Sequence, residues 1–542
     1  MANPICKVNV NVLVAPTPST LQKTGALISQ GGTSLAANSK ALLTQLSDLT
    51  PLLALAIPLA SLTQSAGLAT ATLEGTASDI SSGTYNTTTG LVTLTLSAGI
   101  GLNPGDPVLV ASATGTGSFA AINGTWPCAA GTSGATITFF VAAGLTMTIT
   151  GGTCEATIGL ATNATFLTTI AGAAQAGYNG TFLATVTGAQ TFTFAVPSGT
   201  VSPATGTPTF TPATTAELLQ MATTFFAQGT GQGVYVLELG TGTPAQGVTA
   251  LSAYITANPG IFYSYLVPRS WDAVASFLTF LAGFNGTTAQ TYFFITTTLA
   301  NYASYAATMK CALLLIEAPG VQATEFSMAA VFWVTLNYSP SSTNRVTPLN
   351  LAFLVGVTPY PPAGNAALLS TLNAANVSVV GTGAAGGISA AILLGGNNLD
   401  GNPFNYWYSV DWVQINVALA ITAALISGSN NPSNPLYYNQ AGINALLQVA
   451  ISTMGAGIAA GLVLNPIKAL ALNAAQFQAA LAAQTYAGFT IINADPFAAY
   501  VTENPNDYKA GIYKGFSIFY VPLRGFTAIV FNVTVSSFPL ST

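Results

Sequence analysis

The clearest alternation of apolar and polar positions lies near the end of the chain, in KGFSIFYVPLRGFTAIVFNVTVSSF (514–538). Two strand patterns are joined there by Pro522, Arg524 and Gly525, a turn-like break. In the second, Ile529, Phe531, Val533 and Val535 fall on one face. Phe526, Ala528, Val530, Asn532 and Thr534 fall on the other, as the two-residue period of a strand requires. So apolar a strand has to be covered, because an unpaired apolar edge templates aggregation. Either the chain's own sheet pairs it or a neighbouring copy does. The opening ICKVNVNVLV (5–14), with Ile5, Val8, Val10 and Val12, alternates in the same way until Pro16 and Pro18 stop it. Two terminal strands that can be lent or borrowed point to self-assembly, with intramolecular pairing as the alternative.

Between these ends the pattern changes character twice. Residues 41–62 read as helix and loop around Pro51 and Pro58. From 70 to 212 Thr, Gly and β-branched residues dominate, strands are short (LVTLTL, 91–96) and turns recur, which predicts all-β modules. A repeat divides them: AINGTW (121–126) matches GYNGTF (177–182), and TITFFV (136–141) matches TFTFAV (191–196). Asn-Gly is expected to turn a hairpin, with an aromatic residue anchoring the next strand. Two β-sandwich-like units, 70–155 and 156–212, are therefore expected as insertions in a larger domain. Beyond Glu217 strands and helices alternate, with strands at 233–239, 261–267, 292–295 and 312–316 and helices at 248–257 and 271–284. That is the pattern of an α/β sheet with helical crossovers. Helices at 411–427, 441–462 and 474–483 precede a return to sheet at 488–493.

Composition narrows the function. The chain has 542 residues, enough for several domains, yet only 5% are charged, half are hydrophobic and there is no His. The net charge is −5, and no Lys or Arg lies between Lys40 and Arg269, so that stretch cannot neutralise a nucleic-acid backbone. Without His, Ser-His-Asp and Cys-His catalysis and His-ligated zinc are excluded. A carboxylate-based hydrolase stays conceivable if acids such as Asp272, Glu317 and Asp411 line one pocket. GTGAAG (381–386) fits the spacing G-x-G-x-x-G, but no full helix follows, and Asp400 sits in a loop, so it reads as a turn and no cofactor is expected. Cys128 and Cys154 share the first β unit and could form a disulfide or remain buried thiols; Cys6 and Cys311 stand alone. Ile443–Val463 is uncharged and long enough to cross a bilayer, but its polar residues and bare flanks favour a buried helix, so no membrane insertion is expected. MANPICKVNV lacks signal-peptide architecture. Lys509, Lys514 and Arg524, near Asp495, Glu503 and Asp507, form a mixed-sign patch suited to a specific polar contact or to a solvated rim.

Four stretches resemble the tail sheath proteins of contractile bacteriophages. They are VNVNVLVAPTPSTLQKTGALISQGGTSL near the start, PRSWDAVASFLTFLAGFN (268–285), the segment 400–447 that opens DGNPFNYWYSVDW, and the segment 492–538 that opens INADPFAAYVTENPNDYKAGIY. The resemblance covers most of 1–65 and 215–542, and leaves 70–212 as a variable outer decoration. It implies an α/β core (21–69 and 213–400), a C-terminal α+β domain (401–525) and strand-donating arms (1–20 and 526–542). It further implies a non-enzymatic subunit of a phage virion, assembled in the host cytoplasm as stacked hexameric rings around an inner tube protein. Baseplate and tail terminator proteins would be its other partners. Contraction would drive the tube through the host envelope. Lys509, Lys514 and Arg524 would then face the tube or the next ring. The competing reading is a surface adhesin or S-layer-like protein with immunoglobulin-like modules.

Overall fold

The computed structural model describes residues 20–525 apart from 54–55, 75–76, 101, 103–105, 130, 159–161, 164, 241, 287, 341–343, 363–364 and 383–388. The strand-donor positions Ile5, Val8, Val10, Val12, Phe526, Ile529, Phe531, Val533 and Val535 lie outside the described residues.

The chain starts a sheet with β1 (Gly25–Ser29), every residue of which is buried, and β2 (Lys40–Leu43). It then leaves that sheet for twelve strands. First come β3 (Ile57–Ser65) and β4 (Leu68–Leu73), then β5 (Ser78–Tyr85), β6 (Leu91–Leu96), β7 (Pro107–Gly117), β8 (Gly124–Pro127), β9 (Thr136–Phe140) and β10 (Met147–Ala156). The excursion ends with β11 (Thr165–Ala173), β12 (Gly180–Gly188), β13 (Thr191–Ala195) and β14 (Gly206–Thr211). Part of the stretch expected as helix and loop, 41–62, is thus strand: Ile57, Leu59 and Leu62 point into a core while Pro58 and Ala60 face out. Pairing with β4 and β14, with a bulge after Leu59 that shifts the alternation by one residue, overrode the local propensity.

Pairing shows how these strands divide. β11, β12, β13, β4, β3 and β14 close into a barrel around Leu62, Tyr178, Phe192, Phe194 and Phe210, and β8-β7-β10-β5-β6-β9 form a second antiparallel sheet with its own core. The two units do not follow one another, as boundaries at 70 and 156 would have it. The sheet of 78–156 is inserted between the second and third strands of the barrel. Their topologies match. With β5 to β10 set against β3, β4, β11, β12, β13 and β14 in turn, every strand pair of one unit has its counterpart in the other except β12–β13. The counterpart, β8–β9, is unpaired among the described residues, and just beyond β8 Ala129 N donates to Thr138 O (2.6 Å) and Thr138 Oγ1 to Ala129 O (2.9 Å) across the gap.

The sequence repeat maps onto this equivalence. Gly124 and Gly180 hold φ angles of 140° and 145°, Ile122 and Tyr178 are fully buried, and Trp126 packs on Phe139 (centroids 5.5 Å) as Phe182 packs on Phe194 (4.6 Å). The Asn-Gly pair is not the tip of a tight hairpin. It follows a 3-10 turn, and each Asn backbone is extended.

After the barrel the chain re-enters the first sheet. α1 (Ala213–Ala227), β15 (Val234–Glu238), α2 (Pro244–Ala257), β16 (Ser264–Leu266), α3 (Ala275–Ala282) and β17 (Tyr292–Thr297) come first. β18 (Ala312–Ile316), α4 (Ser327–Leu336), α5 (Ala366–Ala374), β19 (Ser378–Thr382) and β20 (Ala391–Leu394) follow. The sheet order is β2-β15-β1-β16-β17-β18-β19-β20, parallel throughout except for its two antiparallel edge strands. Buried runs such as YFFITT and ALLLI are what a sheet covered on both faces demands. One face packs against α1 and α4, the other against α2, α3 and α5. At Gly25 a Cβ would sit 2.6 Å from the Phe332 ring, so only glycine lets α4 lie this close to β1. The helix expected over 271–284 is shorter, because Ala273 at φ 57° separates a 3-10 turn (Arg269–Trp271) from α3.

The C-terminal part joins the same core. α6 (Phe404–Ser429) and α7 (Gln440–Ala459) form an antiparallel pair, followed by β21 (Val463–Leu464), β22 (Ile467–Leu470), α8 (Ala474–Ala482), β23 (Thr490–Ala494), α9 (Phe497–Glu503), α10 (Pro505–Ala510), β24 (Phe516–Phe519) and β25 (Val521–Pro522). β22, β23 and β24 make a three-stranded sheet, and β21 pairs with β25. Phe404, Tyr408, Trp412 and Ile492 belong to the core on the α1–α4 face. Locally, Asn439 caps α7, and Asn473 with Gln476 closes a capping box on α8.

Candidate assembly surface

The described chain begins and ends on one helix. Gln22 is buried and donates from Nε2 to the carbonyl of Tyr408 (2.8 Å), while Asn405 Nδ2 donates to the carbonyl of Leu523 (3.1 Å). Leu523 N also bonds Leu462 O (3.2 Å), and Arg524 reaches Asn402 Oδ1 (2.7 Å) with its guanidinium over the Tyr406 ring (4.8 Å). Both apolar terminal segments therefore adjoin residues held on the first turns of α6, although they are distant in sequence.

The rest of α6 and α7 carries an apolar surface. No charged residue occurs between Asp411 and Lys468. The first half of α6 is core, but its second half leaves the body, with Leu419 56% and Ile426 61% exposed. Leu425 and Tyr437 are exposed on the same hairpin, and Leu464, Phe489, Phe519 and Val521 are exposed around the small C-terminal sheet. β22 and β24 each have one edge unpaired among the described residues. Both helices are long and apolar enough to cross a bilayer. An exposed apolar surface of this kind marks an interaction site, with protein or with membrane.

The basic residues expected to act together have different partners. Lys514 Nζ pairs with Asp507 (3.0 Å), whose carboxyl is lowered below the usual range by the Tyr500 hydroxyl (2.8 Å) and then by Lys514. Lys509 lies exposed on α10, and Arg524 is engaged at α6. No described contact joins Arg524 to the two lysines.

The three acids weighed for catalysis sit in separate networks. Asp272 accepts from Asn301 (2.9 Å) and Tyr305 (3.0 Å). Glu317 accepts two 2.8 Å bonds from Arg269 and one from Ser327 N, and burial raises its carboxyl. Asp411 accepts from Tyr263 (2.9 Å) and Tyr292 (2.7 Å), and burial raises it to about 6. An open cleft of about 490 Å³ is lined by Glu325, Leu354–Pro359 and Ser389–Ala391, and another of about 680 Å³ lies between α2 and α3. None of the three acids lines either. Asp400 takes bonds from Asn402 in its own loop and from Trp407 on α6, and Gly381 lies in β19 against Leu394; residues 383–386 are outside the described residues. Cys128 and Cys154 are free, buried thiols, so the disulfide weighed for them is not formed. Among the described residues no group of three Cys, Asp or Glu side chains could hold a metal.

Sequence reasoning missed the tethers Gln22 and Asn405 and the exposed half of α6. The uncharged run after Asp411 was visible, but which of its helix faces lacks a partner is set by packing.

No family model and no curated protein matches the chain. Among solved structures, a sheath tail protein from Listeria innocua aligns over 83% of this chain and 87% of its own, at 10% identity and a TM-score of 0.35. A superposition of that quality does not establish a shared fold.

Proposed function

We propose that this chain is a structural, non-enzymatic subunit of a contractile phage tail sheath. The observation that carries the reading is the convergence of both terminal segments on the first turns of α6, beside an exposed, charge-free helical hairpin. Segments leaving from one place can lend their strands, through Ile5, Val8, Val10 and Val12 and through Phe526, Ile529, Phe531, Val533 and Val535, to sheets of neighbouring copies. Main-chain hydrogen bonds of that kind persist while subunits rotate. The sequence resemblance across 1–65 and 215–542 supplies the form of the polymer: stacked hexameric rings around an inner tube, bounded by baseplate and terminator proteins. Contraction would be a rigid-body change between two packings. Lys509, Lys514 and Arg524 would face the tube or the next ring.

Negative-stain electron microscopy of the purified chain, alone and with the tube protein, tests this. Striated hollow tubes are expected, and removing 526–542 should leave a folded subunit that no longer polymerises. Polymers that persist after the truncation refute strand donation. Replacing Leu419 and Ile426 by Asp should also stop assembly while changing stability by no more than about 0.5 kcal/mol, as is usual at exposed sites. Dispersed subunits even with the tube protein present would refute the sheath reading itself.

A further inference from the structure

Asp411 is fully buried on α6, the helix that ties the C-terminal part to the α/β sheet. One carboxyl oxygen, Oδ2, takes both tyrosine bonds, from Tyr263 beside β16 and from Tyr292 on β17. The other, Oδ1, has no hydrogen-bond partner among the described residues, and neither have Tyr408 Oη, Trp412 Nε1 and Gln22 Oε1. A buried carboxylate with a bare oxygen is costlier than the neutral acid in the same place. The titratable groups facing it are Tyr263 and Tyr292 from the sheet, Tyr520 from the C-terminal strands, and Lys310 before β18, while Tyr408 of its own helix packs against the Tyr263 ring. Lys310 stands next to Cys311 and is itself shared with Asp400, and it donates to Ala289 O. Lys310 gives Asp411 some opposing charge, but burial outweighs it.

We propose that Asp411, Tyr263 and Tyr292 form a proton-linked latch that holds the first half of α6 on the α/β sheet firmly when the carboxyl is protonated and loosely when it is ionised. The latch concerns the fold of a single chain and stands whether or not the chain builds a sheath. Since the helix it fastens also anchors Gln22 and Leu523, loosening it frees the bases of both terminal segments together.

The sign follows from the raised carboxyl. Its stabilising effect is complete below about pH 4, the range of an unburied Asp, and is lost as pH rises through about 6. Hydrogen exchange of peptides from 404–416 in the full chain, corrected for intrinsic rates, should show about tenfold more opening at pH 7 than at pH 5. Asp411→Asn, which keeps an acceptor for both tyrosines, should remove that dependence. Tyr292→Phe removes a bond that favours the ionised form, so it should move the midpoint to higher pH. A wild-type profile flat from pH 5 to 8, or an unchanged pH dependence in Asp411→Asn, overturns the latch. Should Asp411→Asn fail to fold, an unmoved midpoint in Tyr292→Phe overturns it equally.

Discussion

Asn123 and Asn179 make the same bond in two nested units: each side-chain carbonyl accepts a backbone N–H from the preceding long strand, Ala113 N at 2.9 Å and Ala173 N at 3.0 Å. Both bonds hold the 3-10 turn against the strand it leaves. Replacing either Asn by Ala orphans a partly buried N–H and should cost about 1–2 kcal/mol. Because the two sites sit in separate cores, the double variant should lose the sum, measured by urea denaturation. Asp at 123 keeps the acceptor and should cost less than Ala, whereas at 179, where Nδ2 also donates to Ala173 O (2.7 Å), Asp sets two acceptors against each other and should cost more than at 123.

The nesting dictates where the β units can be cut. Excision of 78–156, with a short Gly-Ser joint from β4 to β11, leaves all six strands of the closed barrel and should give a folded chain. Excision of 70–212 takes β11 to β14 and most of β4 but leaves β3 with Ile57, Leu59 and Leu62 uncovered. That chain should aggregate. Excision of 57–211 removes the barrel whole and should restore solubility. Size-exclusion chromatography of the three separates these outcomes.

Arg269 is bound by Glu317 in a two-bond fork, donates to Glu325 O, stacks on Phe326 at 4.1 Å and lies 3.6 Å from Glu217. Arg269→Met leaves Glu317 buried without its counter-charge and should cost about 3–5 kcal/mol near neutral pH. Burial already raises the carboxyls of Glu317 and Glu217, with Arg269 opposing it, so losing Arg269 raises both further. The defect should therefore shrink as the pH is lowered and these carboxyls take up protons, and grow again as it is raised. Melting temperatures of the wild type and variant from pH 4 to 8 check this.

Burial pushes the thiols of Cys154 and Cys311 up to about 12, and that of Cys128 further. Almost no thiolate exists at neutral pH, and it is the thiolate that reacts. In a Cys6→Ser background, all three should stay unreactive towards a thiol reagent in the native chain and react fully in denaturant. A count of one in denaturant would reveal a Cys128–Cys154 disulfide.

Much of the α/β part was legible because burial on both faces leaves a plain mark. ALLLI stands where a strand runs from Ala312 to Ile316, and the uncharged runs after Asp411 became α6 and α7. The repeat at Asn123 and Asn179 was legible too, since both units need the same turn. What Asn does there was not: its extended backbone and backward bond depend on a 3-10 turn that has no strong sequence signature. Strand 57–65 was missed because Pro51 and Pro58 punctuate it, while the partners that make it a strand, β4 and β14, lie partly at 206–211. The candidate surface was half legible: the apolar ends and the missing charges were in view, the tethers on α6 were not.

By itself the sequence determined the kinds of element outside 41–62, the lack of His-based chemistry, the charge-free hairpin and the existence of two like β units. Those are properties of composition and of short-range period, and they need no knowledge of distant partners. Tertiary structure alone decided that one β unit sits inside the other, that three candidate acids are held apart, and that Gln22 and Leu523 meet the same helix. Each is a pairing between residues far apart in the chain, fixed by which surfaces bury each other and not by any local pattern.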